Sequence, residues 1–172
     1  MKLINNNNLK IYVLMVFAML IWGASWPSGK IVGQYSSPNV IMVWRFILAS
    51  STIALFMLLF KINFKILKSS LTNIIFASIC LIAYNYNYLK GTQIGMASLG
   101  AVIVPTLSPI ITYLITIKVF NQIINKKDLF GISMGILGGI ILIRIWEINA
   151  LELINSGNIY FILAAISWSI VT

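Results

Sequence analysis

The sequence contains no histidine, one cysteine and three acidic residues. Without histidine the chain lacks the usual general base, the commonest metal ligand and the ordinary pH switch. A lone thiol, Cys80, excludes an intrachain disulfide framework and a cysteine-based metal cluster. Charge is scarce too: 9% of the 172 residues are charged, where a soluble domain carries about 25%. What is plentiful is apolar, with 60% hydrophobic residues and a mean hydropathy of +0.97. Such a chain cannot cover itself with polar groups, so a soluble globule is excluded and a bilayer is its solvent. The net charge of +9 would suggest nucleic acid in a soluble protein; here the placement of the cations carries the meaning.

A helix needs about 20 apolar residues to cross roughly 30 Å of hydrocarbon. Such runs occupy 12–31, 40–60, 71–89, 97–120 and 129–145, and a sixth begins at 157 and is still apolar at 172. The runs are continuously apolar instead of alternating, which excludes a barrel. Short polar connections at 34–39, 61–70, 90–95, 121–128 and 146–156 make successive helices antiparallel neighbours. The fold class is therefore an all-α polytopic membrane protein. The polar segment 1–11 resembles the start of a signal peptide, but 12–31 is long enough to span and lacks a small-residue cleavage pattern. It reads as the first membrane helix.

Lys2 and Lys10 precede the first run, Lys61, Lys65 and Lys68 follow the second, and Lys118, Lys126 and Lys127 follow the fourth. Lys30, Arg45, Lys90 and Arg144 fall toward the opposite side. The positive-inside rule then places the N-terminus and the loops at 61–70 and 121–128 in the cytoplasm, and 146–156 outside. The expected location is the plasma (cell inner) membrane, multi-pass, with the lipid bilayer as partner and no nucleic acid. The last run, 157–172, makes about 24 Å of helix at 1.5 Å per residue, short of the hydrocarbon core. It has no closing basic residue. It reads as a cut chain, the alternative being a natural end at the inner interface.

In the fourth run, Ser98, Ala101, Pro105, Ser108 and Thr112 recur at 3-4-3-4 spacing and share one small, polar face. Pro105 and Pro109 each remove a backbone donor in mid-membrane. Freed carbonyls at that depth are tolerated where they are buried in protein or line a wet cavity. The face is either a pathway lining or a kinked packing surface. In the first run Trp22, Ser25 and Gly29 share a face, with Trp22 deep enough to wall a cavity and Trp26 placed as an interfacial anchor. In the third, Cys80, Tyr84 and Tyr88 share a face with Asn85 and Asn87 beside it; these polar groups must bond between helices or meet substrate and water. Gly131, Gly135 and Gly139 form a close-packing face on the fifth. Arg45 lies several residues inside its helix, either snorkelling or facing a vestibule that, with Lys30, Lys90 and Arg144, would favour anionic solutes. The acids Asp128, Glu147 and Glu152 all fall in loops, so no intramembrane carboxylate is available for proton coupling. No catalytic, metal or cofactor residue is expected.

The strings IWGASWPSGK, SSPNVIMVWRFILAS, YNYNYLKGTQIGMASLGAVIVPTLSPIITYLI and KKDLFGISMGILGGIILI occur in that order. Together they resemble the EamA-type repeat of the drug/metabolite transporter superfamily over about residues 11–145. GNIYFILAAISWSIVT looks like the opening of a second copy, its ISW echoing the IWG of the first helix. The resemblance implies a five-helix first repeat over 12–145 plus an incomplete sixth transmembrane helix, the truncated half of an inverted-repeat ten-helix transporter. It implies a small-molecule substrate, and a second repeat or partner subunit to complete the pathway. The implied function is a secondary transporter, often an exporter, of small metabolites such as amino acids, working by alternating access. The implied pathway residues are Trp22, Ser25, Tyr84, Tyr88, Pro105, Ser108 and Pro109; the residue reading adds Arg45, Ser98 and Thr112. One departure stands out: where the family often has an acidic pair after the fourth helix, this chain has Asn121 and Gln122. The alternatives are a non-transporting module or remnant, or a membrane-embedded enzyme left with only serine–lysine or tyrosine chemistry.

Overall fold

The computed structural model describes residues 6–120, 125–144, 146 and 157–172. Among the described residues six α-helices follow in chain order: α1 Asn6–Val32, α2 Pro38–Leu59, α3 Leu71–Ile94, α4 Ala97–Phe120, α5 Lys126–Ile143 and α6 Ile159–Val171. A 3-10 turn, Lys68–Ser70, leads into α3, and the described residues include no strand. Four apolar stretches are long enough to cross a membrane: Leu9–Val32, Pro38–Leu59, Lys68–Ile94 and Ala97–Val119. α5 is 18 residues long but opens on Lys126, Lys127 and Asp128, and α6 has 13 residues, so neither offers an equal apolar length. The chain is an all-α membrane protein.

Local chemistry sets the helix ends. Pro38 starts α2 with its φ already fixed for a helix and no N–H to orphan. Asn125 caps α5 by accepting the Lys127 N–H at 3.2 Å, and Asp128 sits in the first turn, where the helix dipole favours a carboxylate. Asp128 is thus helical, not in a loop, whereas Glu147 and Glu152 lie outside the described residues, as do Asn121 and Gln122. Two boundaries differ from those read in the sequence. α1 begins at Asn6, because the asparagine run continues the helix instead of preceding it. α3 runs on to Ile94, reducing the connection expected at 90–95 to Gly95 and Met96. The Lys30 ammonium takes the Gln93 and Gly95 carbonyls, and Gly95 N–H closes on Gly91 O at 2.7 Å. Carbonyls that a helix end would leave orphaned are therefore satisfied.

α6 is seated between α3 and α4 and makes the most extensive packing in the bundle. Phe161, Ala164 and Ala165 on α6 are fully buried. α1 packs on α3 and α4, α2 on α3, and α5 on α4. Residues 9–20 of α1 are exposed throughout, as is most of α2, which is the apolar face a lipid solvent calls for. The glycine face of α5 is only partly used. A Cβ on Gly139 would lie 3.0 Å from Thr106, so α4 and α5 touch there, but Gly131 and Gly135 have open space around them. The two helices diverge toward the start of α5 and leave a cleft of about 520 Å³. The Tyr113 hydroxyl donates to Asp128 Oδ2 across that cleft at 3.2 Å.

Candidate functional site

A smaller cavity, of about 390 Å³, is walled by Trp22 of α1, Tyr84 of α3, Pro105, Ser108 and Pro109 of α4, and Trp168 of α6. It differs from the α4–α5 cleft in drawing on four helices, and in holding three aromatic rings. The rings of Tyr84 and Trp168 stand 4.8 Å apart, and Tyr84 is buried while Trp22 is 44% exposed. Among the described residues no charged side chain lines it.

Along this wall α4 runs unbroken through two prolines. Neither Pro105 nor Pro109 can donate to the carbonyl one turn back, so the carbonyls of Ala101 and Pro105 lose their helical donors at the depth of the cavity. Next to them, Ser108 Oγ is buried without a hydrogen-bond partner among the described residues. The Ser108 carbonyl, in contrast, accepts from Ser169 Oγ at 3.0 Å, which pins α6 to α4. An unpartnered buried hydroxyl costs about 1–3 kcal/mol, so this position favours whatever group supplies a partner.

The cavity brings Trp22, Tyr84, Pro105, Ser108 and Pro109 together. Thr112 lines an adjoining hollow of about 450 Å³ and lies 3.0 Å from the Thr172 hydroxyl. Ser25, Arg45 and Tyr88 lie elsewhere, around a hollow of about 200 Å³ between α1, α2 and α3. There the Tyr88 hydroxyl donates to the Ser25 carbonyl at 2.7 Å, and the Arg45 guanidinium lies over the Tyr88 ring, 5.2 Å from its centroid. That is cation–π geometry. Ser98 is exposed at the start of α4, away from Ser108, so the small polar stripe does not act as one face along its length.

Other expectations change with the packing. Lys30 and Arg45 are both engaged with the protein, so they do not form a vestibule of free cations. Trp26 is buried against Tyr88 and Phe161 instead of anchoring at an interface. Asn85 and Asn87 donate to Leu81 O and Ala83 O of their own helix, not to neighbours. Trp168 is the wall residue that sequence reading passed over. Its signal was present in the ISW–IWG echo, which pairs Trp168 with Trp22. Among the described residues, no three of His, Cys, Asp and Glu cluster in a way that could hold a metal.

Long apolar helices around a cavity with aromatic and hydroxyl walls define a multi-pass membrane protein with a hollow among its helices. The chain belongs to the EamA-like transporter family, whose sequence profile matches residues 9–144. It is 23% identical to the uncharacterized transporter YyaM of Bacillus subtilis (strain 168) over 168 residues, covering 95% of this chain and 54% of that protein. It is 30% identical to the uncharacterized transporter YetK of the same organism over 138 residues, covering 74% of this chain and 39% of that protein. The chain thus spans about half the length, or less, of the curated relatives it matches. No solved structure matches it.

Proposed function

We propose that the chain forms one half of a secondary transporter that exports small metabolites, such as amino acids or related solutes, by alternating access. The cavity between α1, α3, α4 and α6 is the observation that carries this reading, because it offers a ligand-sized space among membrane helices, walled by aromatic rings with Ser108 in its lining. Residues 12–145 act as the first repeat and 157–172 as the opening of the second. A further repeat or a partner subunit closes the remaining side of the pathway. The protein sits in the cell membrane with its N-terminus in the cytoplasm and performs no covalent chemistry.

The test is flux. The complete transporter, this half together with its second repeat or partner subunit, is reconstituted in vesicles and a panel of labelled amino acids and related solutes is followed across the membrane. At least one solute moves faster than in empty vesicles, and Tyr84→Ala and Trp168→Ala each slow it by about tenfold, equivalent to ~1.4 kcal/mol of lost binding. If no solute moves, or if both variants transport as the parent does, the cavity is not the pathway.

A further inference from the structure

Three helix ends meet in one polar knot at the Lys30 end of the bundle. The Lys30 ammonium reaches from the last turn of α1 to the end of α3, donating to Gln93 O at 3.0 Å and Gly95 O at 2.9 Å. Gln93 returns the link, its Nε2 donating to Gly33 O at 2.8 Å just beyond α1. The Met96 N–H donates to Asn158 Oδ1 at 3.1 Å, which brings the start of α6 into the same corner. Beneath the knot the Trp26 ring packs edge-on against Tyr88 at 4.9 Å and Phe161 at 5.9 Å, and all three side chains are buried. The other end of α1 is unlike this one, because residues 9–20 are exposed along their whole length.

We propose that Lys30 is the bolt of the outer gate. Its ammonium holds α1 against α3 and seals the cavity at this end, and its release lets α1 swing away and open the cavity outward. The chemistry suits a reversible bolt. The last carbonyls of α3 carry the negative end of the helix dipole and lack helical donors, so a cation is their natural partner. In the topology set by the lysines the site lies at the outer surface, where water can take over both carbonyls and the ammonium when the bond breaks. An ordinary cap would satisfy α3 from its own neighbouring residues; this donor comes from another helix and so couples the two. The proposal rests on the transporter reading and on the orientation set by the lysine asymmetry.

The test reads access without needing a substrate. In a Cys80→Ser, Ser108→Cys background, the thiol at 108 reports on the cavity wall. A membrane-impermeant thiol reagent added outside should react about tenfold faster when Lys30→Met is added, since two charge-assisted hydrogen bonds are lost. Lys30→Arg should keep the slow rate, and the rate from the inner side should not rise. Gln93→Leu removes only the return bond; it should give a smaller outside increase and serves where Lys30→Met fails to insert. An unchanged outside rate in the inserted variants overturns the bolt. So does an equal rise from both sides, which would mark general loosening. If labelling fails while metabolite flux is intact, only the bolt falls; if labelling behaves as expected without any flux, the transporter reading falls.

Discussion

Phe161 offers the sharpest test of how the bundle is held. Its ring is fully buried in a cradle made by Gly91 of α3 and Gly100 of α4, with Gly95 at the rim. A Cβ on Gly100 would stand 2.6 Å from the ring's Cζ and 2.7 Å from Cδ1, and closer still to Cε1. On Gly91 the corresponding distances are 2.7 Å to Cε1 and 2.8 Å to Cδ1. Carbon atoms settle about 3.5–4.0 Å apart. A rigid ring walled on all sides cannot yield that difference by changing rotamer, so α6 must move off α4. Gly100→Ala should therefore destabilise by about 2 kcal/mol, within the usual range for overpacking. In lipid there is no hydrophobic penalty for undocking an apolar helix, so this loss is not offset by burial elsewhere. Thermal unfolding in lipid nanodiscs should show a Tm lower by about 4–8 °C, at 2–4 °C per kcal/mol for a chain this size. Phe161→Ala alone should also destabilise, by leaving a cavity. The combination should be non-additive by about 1–3 kcal/mol, because the new methyl enters space the ring has left. An unchanged Tm for Gly100→Ala, or strict additivity in the double variant, would refute the cradle.

Three further outcomes are expected. In Cys80→Ser protein, a cysteine replacing Ser36 should react with an impermeant reagent from outside and one replacing Lys65 should not; the reverse pattern would invert the topology. Arg45→Gln should leave any preference among acidic, neutral and cationic solutes unchanged and cost about 0.5–1 kcal/mol of stability, because the guanidinium lies over Tyr88 and not in the cavity; a loss of anionic solute flux alone would show otherwise. Restoring both donors in Pro105→Ala, Pro109→Ala should stiffen α4, since proline in a helix interior costs roughly 3 kcal/mol relative to alanine. That variant should bind solute but cycle slowly, and normal flux would show that the prolines only pack.

The helices were legible because each is a long apolar run, a signal that survives ignorance of tertiary structure. The end of α3 was not, because Ile94 is held helical by a lysine about sixty residues earlier, and no local pattern carries such a contact. The same applies to Trp26. A tryptophan near a membrane boundary reads as an anchor, and only the arrival of Phe161 from α6 turns it into core. The cavity wall on α4 was readable from its prolines and Ser108, since missing donors and a small polar face are local properties. Ser98 belonged to the same spacing, yet it is exposed at the start of α4, because periodicity says which residues share a face and not how far along the helix that face is covered. The glycine stripe of α5 failed for a related reason. Spacing shows that a face can pack closely, not that a partner follows it along its full length.

The echo between α1 and α6 sharpens the mechanical picture. Aligning Trp22 with Trp168 sets Met15 against Phe161, Ala18 against Ala164 and Gly23 against Ser169. In α6 these positions are buried: Phe161 fills the glycine cradle, Ala164 is fully enclosed, and Ser169 bonds the Ser108 carbonyl. In α1 their counterparts are free, with Met15 55% exposed and nothing within 4 Å of a Cβ on Gly23. Two helices of the same pattern thus wall one cavity with different security. α6 is fixed along its length by rings, alanines and a hydroxyl. α1 is held from about Ser25 onward, by Tyr88, Lys30 and Gln93. Local opening follows the elements with the fewest packed contacts and the most replaceable hydrogen bonds. Between the two tryptophan walls that element is α1, so the proposed opening would move Trp22 relative to Trp168, with the polar knot at Lys30 setting its cost.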